Sequence, residues 1–108
     1  MNAVAAEAMI ERAGRALIDA APAPAKVILF GSYARSDADE GSDFDFLVIE
    51  EEVQDRLTEA VGLRRALGDF DVPVDLIVMD AALAERRAKV PGTMVDRALR
   101  EGRVVAES

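Results

Sequence analysis

The chain has 108 residues, of which 51% are hydrophobic and 31% charged, so we expect a single globular domain over residues 1–108 with its own core. It has no cysteine and no histidine, which excludes disulfides, Ser-His catalysis and thiolate or imidazole metal ligands. A metal ion would therefore need oxygen ligands, which Mg²⁺ and Mn²⁺ prefer. The net charge of −8 disfavours direct binding to nucleic acid. The N-terminus resembles neither a signal peptide nor a membrane span, so we expect a cytoplasmic protein without a membrane partner.

The first half of the chain predicts one helix and two strands. Apolar residues recur at helical spacing over residues 4–20, and the following "APAPA" ends the helix because proline cannot continue it. The apolar run "KVILF" predicts a buried strand at about 26–30, and "DFDFLVIE" predicts a second strand at about 43–50. Residues 31–42 between them predict a loop with one helical turn around Tyr33 to Asp37.

The second half predicts three helices and two strands. A helix follows the second strand, with apolar residues at helical spacing, and Gly68 ends it. That stripe consists of Val53, Leu57, Ala60, Val61 and Leu67. Residues 73–79 predict a third strand, "AALAERRAKV" a helix that stops at Pro91, and "MVDRALRE" a last helix with a weak capping box at Thr93 and Asp96. Residues 103–107 predict a short edge strand, so the fold class is α/β (α+β), a small mixed sheet with helices packed on it.

The order of the elements also predicts how the strands pair. Gly31-Ser32 ends the first strand and the acidic pair Asp43 and Asp45 begins the second, so the two signatures meet only if these strands are antiparallel. Strands two and three are joined by a helix, which suits a parallel crossover. The start of the third strand, with Asp75, then lies beside the start of the second.

Three aspartates are therefore expected at one end of the sheet. Asp43 and Asp45 share a face because side chains alternate along a strand. Taken alone, this pair is better interpreted as a charged strand end, since Asp-x-Asp occurs twice more in predicted turns. Asp75 has only apolar neighbours in "VPVDLIV", so we expect it to be buried and to need a cation, either Arg35 or a metal ion. A divalent ion shared by all three carboxylates would relieve their repulsion, which favours the metal.

Gly31-Ser32 and Arg35 have both a functional and a structural interpretation. A glycine after a strand lets backbone N–H groups approach a phosphate, the serine hydroxyl adds a donor, and a following helical turn favours an anion. An ordinary strand-ending turn explains the same pair. Arg35 either steadies a phosphate or holds an acidic residue of the loop, and the sequence slightly favours the second role.

Together, "GSYAR", "SDFDFLV" and "VDLIV" resemble the nucleotidyltransferase superfamily that includes DNA polymerase beta. Within it, the chain is similar to the minimal nucleotidyltransferase (MNT) domains that pair with HEPN-domain toxins. The resemblance covers residues 26–80 and implies the nucleotidyltransferase fold. Ser36 stands where the family has glycine, which argues against a turn with positive φ at this position.

The resemblance implies a role for each matching residue. Gly31 and Ser32 would hold the phosphates of a nucleoside triphosphate, with Arg35 and Ser42 as further nucleotide contacts. Asp43, Asp45 and Asp75 would be the catalytic residues and would bind two Mg²⁺ ions, for which Mn²⁺ is a possible substitute. A hydroxyl group would attack the α-phosphate of ATP and release pyrophosphate.

For MNT proteins, the family implies transfer of AMP to a tyrosine of a HEPN toxin, so that the chain acts as an antitoxin. An alternative is a binding module that neutralises its partner without catalysis. A third interpretation, a plain α/β domain with charged strand ends, leaves the joint occurrence of Gly-Ser, the aspartate pair and Asp75 unexplained. Homo-oligomerisation stays open.

Overall fold

The computed structural model describes residues 2–108, which form five α-helices and four β-strands. The helices are α1 (Ala3–Ala20), α2 (Ser32–Arg35), α3 (Arg56–Leu67), α4 (Ala81–Ala88) and α5 (Met94–Glu101). The strands are β1 (Ala25–Phe30), β2 (Phe44–Glu50), β3 (Val74–Asp80) and β4 (Arg103–Glu107). Every predicted helix and strand is present, with ends that coincide with the prediction or shift by at most three residues. None of these helices, within residues 2–108, is long and apolar enough to cross a membrane.

The four strands form one mixed sheet in the order β3-β2-β1-β4. β1 is antiparallel to β2 and to β4, whereas β2 is parallel to β3. The pairing predicted from the order of the elements is therefore confirmed. It brings the end of β1 to the starts of β2 and β3, at one end of the sheet.

Helices cover both faces of the sheet. On the α1–α3 face, α1 and α3 pack on alternate residues of the strands, including Phe44, Phe46 and Val48 of β2. On the α4–α5 face, α4 and α5 pack on the other residues, including Leu47 of β2. Because Asp45 stands between Phe44 and Phe46, strand alternation directs it to the α4–α5 face.

The apolar stripe predicted for α3 is partly wrong. Leu57 and Val61 are exposed, whereas the predicted Ala60 and Leu67 do pack against the core, together with Leu63, which was not predicted. The helix begins later than expected because Asp55 caps it, accepting hydrogen bonds from the backbone N–H groups of the first turn. The later start leaves Val53 outside the helix.

Two predicted helix ends are confirmed. Gly68 ends α3 with a positive φ of 75°, a conformation that favours glycine. Thr93 caps α5 by accepting a hydrogen bond from the backbone N–H of Asp96, whose carboxylate accepts one from the N–H of Gly92. This reciprocal pattern fixes the direction in which α5 leaves its loop, above β1.

Candidate active site

A tight turn joins β1 to the short helix α2. Gly31 has φ of 77° and ψ of −157°, a backbone conformation that residues other than glycine rarely adopt. Its carbonyl accepts hydrogen bonds from the N–H groups of Ala34 and Arg35, both 3.1 Å long. Gly31 and Ser32, predicted as a strand-ending pair, therefore lie where the chain turns sharply at the end of β1.

Gly31 lies directly against Asp45. Phe30 and Asp45 are register partners in the antiparallel pair of β1 and β2, so the residue after Phe30 passes over the Asp45 side chain. A Cβ atom added to Gly31 would collide with Oδ2 of Asp45. The absence of a side chain at position 31 therefore allows the turn at Gly31 and Ser32 to lie against Asp45 of β2.

Asp45 also lies beside a second aspartate. Asp45 and Asp75 are register partners in the parallel pair of β2 and β3, and Asp43 precedes β2 by one residue. Burial raises the pKa of the Asp45 carboxyl, and the charges of Asp75 and Asp43 raise it further, against a smaller opposite effect of Arg35. Asp43 and Asp75 are thus each close enough to Asp45 for their charges to act on it.

The expected burial of Asp75 is wrong. Its side chain is exposed, because β3 is an edge strand and Asp75 lies near its open beginning. The apolar neighbours that suggested burial face both sides of the sheet, and only Leu76, Val78 and Met79 are buried. Asp75 therefore does not need a cation to compensate for burial, and the reason to expect a metal reduces to repulsion among the three carboxylates.

The chemistry of the donors suits a hard cation, although the carboxylates do not surround a common centre. Within residues 2–108, no group of three or more Asp, Glu, His or Cys side chains could hold a metal ion as they lie. Carboxylate oxygens are the ligands that Mg²⁺ and Mn²⁺ prefer, and the negative charges of Asp75 and Asp43 add to burial in raising the pKa of Asp45.

Arg35 is engaged by two carboxylates. Its Nε donates to Oδ2 of Asp37 at 3.1 Å, and its Nη1 lies 3.4 Å from Oε2 of Glu101. Asp37 belongs to the loop after α2, so Arg35 holds an acidic loop residue, which is the structural role that the sequence slightly favoured. Glu101 ends α5, and sequence reasoning missed it because no local pattern links residues so far apart in the chain.

Two further loop residues have structural contacts. Ser36 has φ of 66°, so the positive-φ turn that the serine argued against is present nonetheless. The reason is that α2 ends there, and the N–H of Ser36 bonds back to the carbonyl of Ser32. The hydroxyl of Ser42 accepts from the N–H of Asp39 at 2.9 Å and lies 3.2 Å from its carboxylate. Ser42 thus closes the acidic loop.

The chain matches a family model over most of its length. The model described as "Nucleotidyltransferase domain" matches residues 10–104, which include every candidate site residue above. No curated protein sequence matches the chain significantly.

Among solved structures, the fold resembles the crystal structure of a toxin-antitoxin with AMP-PNP, with a TM-score of 0.55 and 24% sequence identity. The likeness covers 94% of this chain and 73% of the other. At this identity it is a likeness of fold.

Proposed function

This chain belongs to the nucleotidyltransferase domain family, and we propose that it transfers AMP from ATP to a hydroxyl group of a partner protein. The partner is a HEPN-domain toxin, the acceptor is a tyrosine, and the chain acts in the cytoplasm as the antitoxin. Support for such a partner comes from the MNT-like motifs and from the similarity to a toxin-antitoxin structure that contains AMP-PNP. The transfer itself is supported by one arrangement above all: Gly31 lies against Asp45, which lies beside Asp75.

The proposed reaction breaks a phosphoanhydride bond of ATP and forms a phosphate ester bond to the acceptor. The acceptor oxygen forms a bond to the α-phosphorus of ATP, the bond from that phosphorus to the bridging oxygen breaks, and pyrophosphate leaves. We assign Gly31 and Ser32 to the β- and γ-phosphates, because a glycine turn gives backbone N–H groups close access to an anion. The acceptor's proton passes to Asp75 or to water, and the exposure of Asp75 suits either route.

Asp43, Asp45 and Asp75 are the residues that would hold Mg²⁺, as two ions in our proposal, with Mn²⁺ as a substitute. Bound metal would neutralise the triphosphate and activate the acceptor hydroxyl. The three carboxylates would have to turn toward a common centre, since they do not form such a group as they lie. A bound cation would favour that rearrangement, because it would offset the charges of Asp75 and Asp43 that, after burial, raise the pKa of Asp45.

The direct test uses ATP labelled at either the α- or the γ-phosphate. With Mg²⁺ and a HEPN-domain toxin, the α-label should appear on the toxin and the γ-label should not, because a kinase would give the opposite pattern. The double variant Asp43→Asn/Asp45→Asn should abolish labelling. The matched control Glu51→Gln/Glu52→Gln removes two exposed carboxylates beyond the opposite end of the same strand and should leave labelling unchanged. Labelling that survives in the Asp43/Asp45 variant would exclude these residues from catalysis.

A second candidate function is neutralisation of the partner by complex formation alone. Two observations favour it: the carboxylates are not gathered around one centre, and Arg35 is occupied by Asp37 and Glu101. Under this hypothesis the wild-type chain transfers no label, and the Asp43→Asn/Asp45→Asn variant still inhibits the toxin fully. Toxin inhibition measured alongside labelling therefore separates the two functions.

A further inference from the structure

A wide groove lies on the α1–α3 face, away from Asp45 and Asp75. Its volume is about 950 Å³, and it runs between the first turns of α1, the loop 36–42 and the segment 71–73 before β3. Ile10 and Tyr33 line it, and both pack on the core beneath α1 and α3, where the Tyr33 ring contacts Phe44 at 4.7 Å between centroids. We call this cleft the α1 groove.

The α1 groove combines an apolar floor with an acidic rim. The floor is formed by Ala3, Ala6, Met9, Ile10, Ala34 and Val72. Asp39, Glu40 and Asp71 stand on the rim, all three exposed, and none of them forms an ion pair within residues 2–108. The rim's arginine, Arg103, is neutralised by two hydrogen bonds to the Glu7 carboxylate, 3.0 and 2.6 Å long. The groove therefore carries uncompensated negative charge around an apolar surface.

We propose that the α1 groove docks a basic amphipathic helix of a partner protein. Such a helix would lay its apolar side on the floor and place lysine or arginine side chains against the three rim carboxylates. The charge of the rim repels nucleic acid and anionic membranes, and a second copy is disfavoured because each chain carries a net charge of −8. The groove shares Ser42 with the implied nucleotide contacts, but none of Asp43, Asp45 and Asp75 lines it, so docking requires neither nucleotide nor Asp45.

Docking would also contact the back of the loop that carries the candidate site. Tyr33, Ala34 and Ser36 line the groove, and they follow Gly31 directly in the chain. A helix bound in the groove would therefore restrict the loop on which Gly31 and Ser32 are carried. Any such restriction would couple docking to the nucleotide site, and the coupling must be equal in both directions.

The proposal is tested with a synthetic probe of about 14 residues, roughly four helical turns, that carries leucine on one side and lysine on the other. There are two control peptides. The first has the same composition in scrambled order, and the second has glutamate in place of lysine. Fluorescence anisotropy should show binding of the first peptide only, and the affinity should fall with added salt because exposed charges are screened. The double variant Glu40→Lys/Asp71→Lys should lower the affinity at least about tenfold, which is roughly 1.4 kcal/mol.

The matched control is Glu51→Lys/Glu52→Lys, which changes the net charge by the same amount on exposed residues outside the groove. It should change the affinity less than about twofold, since screening weakens distant exposed charges. An equal loss in both variants would mean that only net charge matters and would overturn the proposal. Failure of the leucine-lysine peptide to bind, or equal binding of the scrambled peptide, would overturn it as well. So would self-association of the wild-type chain, measured by sedimentation, that the Glu40→Lys/Asp71→Lys variant abolishes, because a second copy would then occupy the groove.

Loss of docking and loss of transfer are distinguishable. The Asp43→Asn/Asp45→Asn variant should bind the leucine-lysine peptide as tightly as wild type does, because neither residue lines the groove. If that variant loses labelling and keeps peptide binding, both proposals stand independently. If it loses peptide binding, the peptide binds at the acidic end of β2 and not in the α1 groove.

Discussion

The space in which a side chain of Gly31 would begin is filled by Oδ2 of Asp45. Gly31 follows β1, Asp45 lies in β2, and the two approach each other because Phe30 and Asp45 are register partners. A side chain on the glycine after β1 would therefore force the Asp45 carboxylate in β2 to move.

We predict that Gly31→Ala lowers the free energy of unfolding by about 1–3 kcal/mol, since its backbone conformation is nearly restricted to glycine. The added methyl group should also displace Asp45 and abolish transfer. Urea unfolding gives the first quantity and the labelling assay the second. Gly62→Ala is the control, because position 62 lies within α3 with open space around it, and alanine there should stabilise the helix by up to about 1 kcal/mol. Equal stability of wild type and Gly31→Ala would contradict the observed contact.

We predict that Asp45→Asn stabilises the metal-free chain at neutral pH. Burial and the charges of Asp75 and Asp43 raise the pKa of Asp45, so the ionised carboxylate is less favourable in the folded than in the unfolded chain. The wild type should therefore lose stability as the pH rises through the raised pKa, and the variant should not show this loss. Urea unfolding with a chelator present measures both. Asp69→Asn, on an exposed turn, is the control and should behave as wild type.

Added Mg²⁺ gives the same variant a second readout. A ligand that binds only the folded chain raises its stability, so Mg²⁺ should stabilise wild type and not Asp45→Asn. Equal stabilisation of the two proteins would rule out Asp45 as a ligand.

We predict that Ser36→Gly stabilises the chain by up to about 1 kcal/mol and that Ser36→Ala does not. Ser36 has φ of 66°, and the left-handed conformation costs residues with a Cβ atom roughly 1 kcal/mol. Glycine removes this cost, although part of the gain is lost because glycine makes the unfolded chain more flexible. Thermal unfolding of the three proteins measures the difference. A destabilised Ser36→Gly would mean that the serine side chain, and not the backbone, determines the turn.

The sheet could be predicted from the sequence because local patterns and chain order limit how strands pair. Residues 43–50 alternate between two faces, so the direction of Asp45 followed from period two alone. A helix between β2 and β3 favoured a parallel crossover, which placed Asp75 beside Asp45. Both predictions use only the local sequence pattern and the order of the elements along the chain.

What the sequence did not predict depends on residues that are distant in the chain. Asp75 was expected to be buried because its neighbours are apolar, yet β3 lies at the sheet edge, and edge position is a property of the whole sheet. Arg35 meets Glu101 only because α5 ends near the turn after β1. The positive φ of Ser36 likewise results from the end of α2, where the backbone hydrogen bond outweighs the preference of serine.

Glu50 gives the last prediction, because its side chain is almost fully buried. It lies on the α1–α3 face, at the end of the sheet opposite Gly31. Its Oε2 has no hydrogen-bond partner within residues 2–108. Burial and the neighbouring Glu59 raise the pKa of Glu50 from 4.5 to about 7. The folded chain therefore binds this proton more tightly than the unfolded chain does. The resulting stability is complete below about pH 4.5 and is lost as the pH rises through about 7. Glu50→Gln should remove this loss and be more stable than wild type at pH 8, whereas the exposed control Glu51→Gln should follow wild type. Urea unfolding as a function of pH measures all three proteins. Parallel pH profiles of wild type and Glu50→Gln would show that folding does not raise the pKa of Glu50.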